Sequence, residues 1–473
     1  MMKQKRSICP SDMRRIERIH FVGIGGSGMC GIAEVLLNLG YEVTGSDISE
    51  SPVVERLIDL GALVWIGHQK EHVLGADVVV ISTAVKDDNP EVISAKEARI
   101  PIIQRAQMLG ELMRFRYGIA VAGTHGKTTT TSLLASILDE AGLDPTYVIG
   151  GRLNSSNVNA RLGLGQYLVA EADESDASFL HLHPMSAIIT NIDQDHMSTY
   201  GGDIENLRQT FVDFLHLLPF YGLAVLCIDN EEVANLIPRI HRPVLTYGES
   251  EGADYQLLRY ESRGMNTYFE VKMPNGISEF SVALPGKYSV LNSLAAIAIA
   301  NDLGVPHPAI RRALRRFKGI GRRFQIHPSV DLKAGGSIDV MEDYGHHPTE
   351  IRAVYEALTT AYPDKRIVVA FQPHRNSRTA ELYNEFVDVL SEIETVLITD
   401  IYAVREPAVA GVSGEQLAID AAAKGGHSPI YVGSIEQIRE KYAAIAKDGD
   451  LIVMMGAGNI GGIAANFYKG GTL

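Results

Sequence analysis

The clearest chemical signature in the chain is the run from Val121 to Thr131, which reads VAGTHGKTTTT. The apolar segment 117–122 predicts a strand before the glycine turn, and the segment 132–141 predicts an amphipathic helix after it. Such a turn presents backbone N–H groups to an anion. Lys127 would reach the terminal phosphates, and the Thr128 hydroxyl would hold Mg²⁺. The run predicts a site for a nucleoside triphosphate.

This phosphate loop is shorter than the common pattern G-x-x-x-x-G-K-[ST]. Val121 stands where that pattern places its first glycine, and the first glycine here is Gly123. A chance G-K-T in a surface loop is the alternative. The strand before it, the helix after it and the run of threonines favour the phosphate loop.

Polar residues that follow two other predicted strands supply candidate metal ligands. Glu171 opens the run EADESD after the strand 167–170, and His196 ends the run NIDQDH after the strand 187–190. The carboxyl ends of parallel strands meet at one edge of a sheet, where open α/β folds place their sites. We therefore expect Glu171 to bind Mg²⁺. For His196 the sequence supports a functional and a structural role equally.

A second glycine motif, G-x-G-x-x-G, spans Gly23 to Gly28 between a predicted strand and a predicted helix. Asp47 ends the next strand, at the spacing typical of a dinucleotide-binding fold. The motif requires only a diphosphate at the helix N-terminus, so a nicotinamide cofactor and a UDP-sugar both remain open. A third match, Gly456 to Gly461, lies close to the end of the chain, and we interpret it as a tight strand-to-helix turn.

Further candidates lie in the last third of the chain. The runs EDYGHHP (342–348) and FQPHRNSR (371–378) each follow a predicted strand. Arg375 and Arg378 are three residues apart, so on a helix they share a face and could bind a carboxylate. Two features earlier in the chain could be either functional or structural. Asn292 could contact adenine or cap its helix, and Arg322-Arg323 could reach phosphates or belong to a solvated hinge.

The composition limits the function classes. The 473 residues carry a formal net charge of −14, which argues against general binding to nucleic acid or anionic membranes. Cys9, Cys30 and Cys227 are too widely spaced for a disulfide framework or a zinc site. No apolar run is long enough to span a membrane, and no signal peptide is evident. We expect a cytoplasmic protein.

The alternation of strands and helices predicts an α/β fold with three domains. Their predicted ranges are 1–118, Rossmann-like; 119–322, a P-loop ATPase-like, mostly parallel sheet with a small antiparallel part near 255–283; and 323–473, again Rossmann-like. The hinge between the last two is the sequence GIGRR at 319–323.

Taken together, these motifs resemble the Mur ligases, which form amide bonds on peptidoglycan precursors with ATP. The short loop GTHGKTT is typical of this family. The other matching segments run in family order along nearly the whole chain: HFVGIGGSGM (20–29), EADESD (171–176), NIDQDH (191–196), GRRFQ (321–325), EDYGHHP (342–348) and FQPHR (371–375).

The resemblance implies a role for each matching residue. A UDP-sugar would lie at Gly25, Gly26, Ser27, Gly28, Met29 and Asp47. ATP would contact Gly123, Thr124, His125, Gly126, Lys127, Thr128, Thr129, Asn292, Arg323 and Asp343. Mg²⁺ would be held by Thr128, Glu171 and His196. The amino acid would lie at Tyr344, His346, Arg375 and Arg378, and the catalytic set would be Lys127, His196, Arg375 and Arg378.

The resemblance also implies the substrates, UDP-N-acetylmuramate and L-alanine, with ATP and Mg²⁺. Several relatives that add later residues use a carbamylated lysine as a magnesium ligand. This chain has no lysine between Lys127 and Lys272, so we do not expect that modification here. The alternative within the family is a ligase that recycles a whole tripeptide onto the same UDP-sugar. Outside it, a nucleotide-sensing binding protein and a dehydrogenase remain alternatives, although a dehydrogenase leaves the phosphate loop unexplained.

Overall fold

The structure is a computed structural model, and it describes residues 13, 15–26, 28–153 and 158–473. Within them the strands form three sheets, connected mostly by helices. The α/β prediction with three domains is confirmed. No helix in these ranges is both long and apolar enough to cross a membrane.

The first sheet has five parallel strands in the order β3-β2-β1-β4-β5. The order reverses direction beside β1, and α/β sheets bind ligands at such a point. Its strands are β1 (Arg18–Val22), β2 (Glu42–Asp47), β3 (Leu63–Ile66), β4 (Val78–Ile81) and β5 (Ile102–Gln104). Its helices are α1 (Met29–Asn38), α2 (Pro52–Asp59), α3 (Pro90–Glu97) and α4 (Arg105–Met113).

The second sheet has ten strands in the order β15-β14-β13-β12-β11-β10-β6-β9-β7-β8. Its central strands are parallel, and β7 pairs with β8 antiparallel. The strands are β6 (Tyr117–Ala122), β7 (Thr146–Leu153), β8 (Val158–Arg161), β9 (Tyr167–Glu171), β10 (Ser186–Ile189), β11 (Leu223–Cys227), β12 (Val244–Gly248), β13 (Tyr255–Arg263), β14 (Asn266–Met273) and β15 (Gly276–Val282). The helices are α5 (Lys127–Glu140), α6 (Ile204–His216), α7 (Glu231–Ala234), α8 (Lys287–Asp302) and α9 (His307–Arg315).

The third sheet has six strands in the order β16-β17-β21-β18-β19-β20, all parallel except β16. The strands are β16 (Gln325–Asp331), β17 (Ser337–Asp343), β18 (Ile367–Phe371), β19 (Thr395–Thr399), β20 (Ile430–Gly433) and β21 (Leu451–Met455). The helices are α10 (Pro348–Ala361), α11 (Asn376–Glu381), α12 (Tyr383–Glu392), α13 (Gly414–Lys424), α14 (Ile438–Ala443) and α15 (Ile460–Asn466).

The chain forms two compact units. The first comprises residues 1–258, 271–278 and 291–314, and the second comprises residues 259–270, 279–290 and 315–473. In the first unit one apolar core contains side chains from both sheets, for example Phe21 and Ala120. In the second unit two cores contain side chains from β17, β18 and β21, one with Val369 and the other with Val368. Adjacent residues of one strand point to opposite faces, so the third sheet is buried on both faces.

Candidate active site

The phosphate loop lies between β6 and α5, as the sequence predicts, but the helix begins earlier than expected. It starts at Lys127 rather than at Ser132, and Gly126 caps it in a left-handed conformation with φ 83°. Gly123 is also left-handed, with φ 123°, and a Cβ there would collide with the Thr190 hydroxyl. The free N–H groups of the first helical turn belong to Lys127 and the threonines after it, which is the geometry that binds anions.

Lys127 lies against the acidic segment after β9. Its Nζ donates to Gly123 O at 2.6 Å and to Thr124 O at 3.0 Å, and lies 2.8 and 2.9 Å from the two carboxylate oxygens of Glu174. Burial alone would lower the pKa of Lys127, but Glu174, Asp173 and Glu171 outweigh it and raise that pKa. The lysine is therefore a charged donor at the base of the loop.

Thr128 and Glu171, the two predicted magnesium ligands that would bind through oxygen, lie next to each other. The Thr128 hydroxyl donates to Glu171 Oε2 at 3.2 Å, and Glu171 Oε1 accepts the Gly150 N–H at 2.7 Å. Burial raises the pKa of Glu171. A divalent cation would stabilise its ionised form, and a hydroxyl beside a carboxylate is a donor set that Mg²⁺ prefers.

His196 lies after β10, at the same edge of the sheet. Its backbone is left-handed, with φ 54°, and its Nε2 lies 3.4 Å from Asp195 Oδ2. The side chain is 27% exposed, which leaves room for a ligand contact. Its predicted share in metal binding stays a prediction.

Sequence reasoning noted the run NIDQDH for His196 and as a family segment, but missed that Asn191 and Asp193 support the phosphate loop. Asn191 Oδ1 accepts the His125 N–H at 2.8 Å, and the Asn191 carbonyl accepts the Thr124 N–H at 3.0 Å. Asp193 Oδ2 lies 3.1 Å from His125 Nε2, and the Thr190 hydroxyl donates to His125 O at 2.6 Å. The available signal was the polar run directly after β10, since β10 pairs with β6.

Asn292, on α8, lies beside the phosphate loop. A Cβ added to Gly126 would be 2.6 Å from Asn292 Oδ1. Asn292 is therefore placed at the start of α5, rather than at an exposed helix end, and Thr129 lies in the first turn of α5.

The glycine motif of the first sheet has the predicted strand-turn-helix geometry. Asp47, the last residue of β2, accepts the Gly25 N–H at 2.8 Å, so its carboxylate shapes the loop. Gly28 caps α1 in a left-handed conformation, and a Cβ there would be 2.5 Å from Arg105 Nη1. The Met29 side chain is buried in the core, so Met29 can offer a ligand only its backbone. Ser27 and Cys9 lie outside the described residues.

Arg105 is a second residue that sequence reasoning missed. It begins α4, and its Nη2 lies 3.3 Å from Asp173 Oδ2 in the acidic segment beside Lys127. Its guanidinium is thus near both the start of α1 and that segment. In the sequence Arg105 directly follows β5 and belongs to none of the motifs.

In the second unit, β17 ends at Asp343, which is buried. Its carboxylate accepts the N–H groups of Phe324 at 3.0 Å and Gly345 at 2.8 Å, and burial raises its pKa. Arg323 Nη1 lies 3.9 Å from the same carboxylate, and its guanidinium lies over the Tyr344 ring at 5.3 Å. The predicted contacts of Asp343 and Arg323 with ATP stay predictions.

The predicted amino-acid residues cluster where β17 and β18 end, on either side of β21. The His346 and His374 rings are 6.0 Å apart, and Arg378 Nη1 lies 3.4 Å from His374 Nδ1. Burial lowers the pKa of each histidine to about 4, so both rings are neutral at pH 7. Arg375 does not share a helical face with Arg378 as predicted, because it is the N-cap of α11 with φ 71°.

The third glycine motif is structural, as the sequence analysis favours. Arg322 donates through Nη2 to the carbonyls of Gly456 at 2.8 Å and Gly458 at 2.9 Å, and through Nε to Glu342 at 2.8 Å. A Cβ on Gly461 would collide with Glu342. Arg322 therefore holds the hinge segment onto this turn.

Family models match the chain in three consecutive stretches. They are the Mur ligase catalytic domain at residues 18–117, the Mur ligase middle domain at 121–300 and the Mur ligase glutamate ligase domain at 322–458. The chain belongs to the Mur ligase family.

Known proteins similar to this Mur ligase point to one branch of the family. The UDP-N-acetylmuramate–L-alanine ligase of Halorhodospira halophila is 54% identical over 99% of this chain and 98% of its own length. The solved UDP-N-acetylmuramate–alanine ligase of Thermotoga maritima matches with a TM-score of 0.79 and 29% identity, covering 96% of this chain and 98% of the other. A murein peptide ligase of Psychrobacter arcticus matches with a TM-score of 0.69 and 25% identity over the same shares.

Proposed function

We propose that this Mur ligase joins L-alanine to the lactyl carboxylate of UDP-N-acetylmuramate, with conversion of ATP to ADP and phosphate. The product is a peptidoglycan precursor. The observation that carries the proposal is the 54% identity, over almost the whole chain, to a UDP-N-acetylmuramate–L-alanine ligase. The phosphate loop, the diphosphate-type glycine loop and the cluster of Arg375, Arg378 and neutral histidines agree with the three substrates. The free, buried Cys30 and Cys227 agree with the reducing cytoplasm.

ATP would bind with its phosphates at the start of α5. Lys127 would reach the β- and γ-phosphates by exchanging the carbonyls of Gly123 and Thr124 for phosphate oxygens. Asn292, beside Gly126, is placed to contact the nucleotide, and His125 is held by Asp193 at the rim of the loop. Thr128 and Glu171 would hold Mg²⁺, which supplies positive charge for the transferring phosphoryl group. We keep His196 as a further candidate ligand.

The activation step brings two anions together, so its rate depends on positive charge that offsets their repulsion. The lactyl carboxylate attacks the γ-phosphorus of ATP, the bond to the β-bridging oxygen breaks, and an acyl phosphate and ADP result. Lys127 offsets the repulsion between the carboxylate and the phosphate. The Glu174 carboxylate beside it keeps this lysine in place and charged.

The second step needs a neutral amine. The nitrogen of L-alanine attacks the acyl carbon, phosphate leaves, and the amine loses a proton. In the second unit, Arg375 and Arg378 would bind the alanine carboxylate. Tyr344 and His346 would line the same site, where the His346 ring is neutral at pH 7 and adds no charge that would repel the amine. Because the activated sugar and the amine are bound by different parts of the chain, turnover requires these ligands to meet and water to be excluded.

UDP-N-acetylmuramate would bind at the glycine loop of the first sheet. The N–H groups at the start of α1 would hold the diphosphate, and Asp47 would keep Gly25 in place. Arg105, beside Gly28, adds a positive charge at the same helix end. Recycling of a whole tripeptide onto this sugar is less well supported, since two solved murein peptide ligases are 25% and 30% identical to this chain, against 54% for the L-alanine ligase.

The test is phosphate release from ATP by the purified chain with Mg²⁺ and UDP-N-acetylmuramate, with one acceptor added at a time. The acceptors are L-alanine, glycine, L-serine, D-alanine and the tripeptide. We expect kcat/KM for L-alanine to exceed that for every other acceptor by about tenfold or more. Preference for the tripeptide would establish the recycling enzyme instead. No release with any acceptor would refute an amide ligase.

A further inference from the structure

Glu406 accepts hydrogen bonds from Arg375 and Ser377 at the predicted alanine site. Arg375 Nε donates to Glu406 Oε1 at 2.6 Å, and the Ser377 N–H donates to Glu406 Oε2 at 2.9 Å. The Ser377 hydroxyl lies 3.0 Å from both oxygens. No motif in the sequence pointed to this carboxylate.

The backbone that carries Glu406 is attached to the same cluster along its length. The Tyr402 carbonyl accepts the Arg375 N–H at 2.8 Å, the Tyr402 N–H donates to Pro373 O at 2.8 Å, and the Tyr402 ring stacks on His374. Val404 and Arg405 are left-handed, with φ 48° and 66°. Such residues cost about 1–3 kcal/mol each and persist only where surrounding contacts hold them. The position of Glu406 is therefore fixed by the fold.

The way Arg375 meets this carboxylate differs from an ordinary surface ion pair. In the exposed pair of the same unit, Arg352 binds Glu392 through both Nε and Nη2, at 3.0 and 2.9 Å. Arg375 uses Nε alone, because Ser377 binds the second oxygen of Glu406. Neither Nη group of Arg375 donates to a described residue, and the side chain is 42% exposed.

The charge on Glu406 is secured as well. Burial raises the pKa of this carboxyl, but the Ser377 N–H and hydroxyl and the Arg375 guanidinium outweigh it and hold the pKa below its usual value. Glu406 is ionised at pH 7. An ionised carboxylate on Nε restricts rotation of the guanidinium, and the pair Nη1/Nη2 then remains for a bidentate contact.

We propose that Glu406 is the positioning residue of the amino-acid site: it binds Arg375 through Nε so that the Nη groups meet the carboxylate of L-alanine. This rests on the proposed function, since it assumes that L-alanine is the acceptor. Glu406 itself does not touch the substrate in this account. Its loss should weaken alanine binding and leave the other two substrates unaffected.

The experiment compares steady-state kinetics of the full-length chain with those of Glu406→Gln, Glu406→Ala, Arg375→Ala and the double variant. Glu392→Gln, which breaks the exposed pair, is the matched control. We expect Glu406→Ala to raise KM for L-alanine about tenfold, with KM for ATP and for UDP-N-acetylmuramate within about twofold. Glu406→Gln keeps the shape but lacks the charge, so its effect should be intermediate. In the Arg375→Ala background, Glu406→Ala should add nothing further.

Three results would overturn the positioning role: an unchanged KM for L-alanine in both Glu406 variants, an equal rise for all substrates, or a full effect of Glu406→Ala in the absence of Arg375. The wild-type chain separates this outcome from failure of the proposed function. If the wild type releases phosphate with L-alanine and the Glu406 variants have the same KM for L-alanine as the wild type, only the positioning role of Glu406 is refuted. If the wild type does not use L-alanine, the proposed function falls and the positioning role falls with it.

Discussion

Two buried glutamates of the first unit show how neighbours set the state of one residue type. Burial raises the pKa of Glu174 to about 7, although Lys127 opposes the shift. Burial also acts on Glu91, but the nearby His20 ring and the hydrogen bonds from Ser46 and His72 outweigh it and lower the pKa to about 2. The same residue type is therefore held close to neutrality in one environment and fully ionised at neutral pH in the other.

The Glu91 network links β1, β2, α3 and the helical turn at residues 70–73. Glu91, on α3, accepts from Ser46 Oγ at 2.6 Å and lies 2.7 Å from His72 Nδ1, while His20 Nε2 of β1 lies 3.5 Å away. Ser46 directly precedes Asp47, which holds Gly25. A carboxylate at this position thus stabilises the strand end that shapes the diphosphate loop.

We predict that Glu91→Gln destabilises the chain in a pH-dependent way. The folded pKa of about 2 lies below the ordinary value of 4.5, so the stabilisation is fully present above pH 4.5 and is lost as the pH falls toward 2. The gap corresponds to about 3 kcal/mol. Urea unfolding from pH 7 to pH 3.5 should show a large gap between wild type and variant at pH 7 that narrows below pH 4.5. Glu71→Gln, at an exposed neighbour, is the control. A gap that does not change with pH would contradict the assignment.

At the scale of elements, the phosphate loop and α5 show where local sequence is misleading. The first turn after Lys127 is a run of threonines, whose β-branched side chains have low helix propensity, so the sequence predicted a start at Ser132. In the structure the Thr131 hydroxyl donates to Lys127 O at 2.8 Å, and the segment after β10 holds the turn before the helix. The contacts from the segment after β10 are tertiary, so no local pattern contains them, and they allow the helix to begin at Lys127.

The two glycines that bracket α5 allow a matched test. Gly126 and Gly142 are both left-handed, with φ 83° and 74°, so alanine strains both by about 1–2 kcal/mol. Only at Gly126 would the new Cβ meet a neighbour, Asn292 Oδ1 at 2.6 Å, whereas nothing lies within 4 Å of the Cβ at Gly142. We expect Gly126→Ala to raise KM for ATP at least about tenfold and Gly142→Ala to leave it within about twofold. Equal effects of the two variants on KM would show that backbone strain, rather than the Asn292 contact, governs ATP binding.

At the scale of the whole molecule, the parallel α/β framework could be predicted because its strands are buried on both faces and read as apolar runs. The predicted strand 117–122 coincides with β6, and the predicted strands 167–170 and 187–190 agree with β9 and β10 to within one residue at each end. The strands β7, β8, β12, β16 and β20 were missed. In β16 and the β7–β8 pair, polar residues interrupt the apolar runs, and these antiparallel additions depend on partners rather than on their own pattern.

The site was predictable to the same degree. Motifs that bind with the backbone, such as Gly123 to Lys127, can be read from spacing, and Glu171 follows from its place at a strand end. Arg105 and Glu406 could not be found this way, because each acts on a residue far along the chain, and Asp193 was noted only as part of the run that ends at His196. Only the fold brings them to the loops that they support.

We expect this Mur ligase to activate the lactyl carboxylate as an acyl phosphate before it forms an amide with L-alanine. UDP-N-acetylmuramate labelled with ¹⁸O in its lactyl carboxylate tests it most directly, with ATP, Mg²⁺ and L-alanine, followed by mass spectrometry of the products. We predict that the amide retains one labelled oxygen and that each released phosphate carries the other. Unlabelled phosphate, or phosphate release without the L-alanine amide, would contradict it.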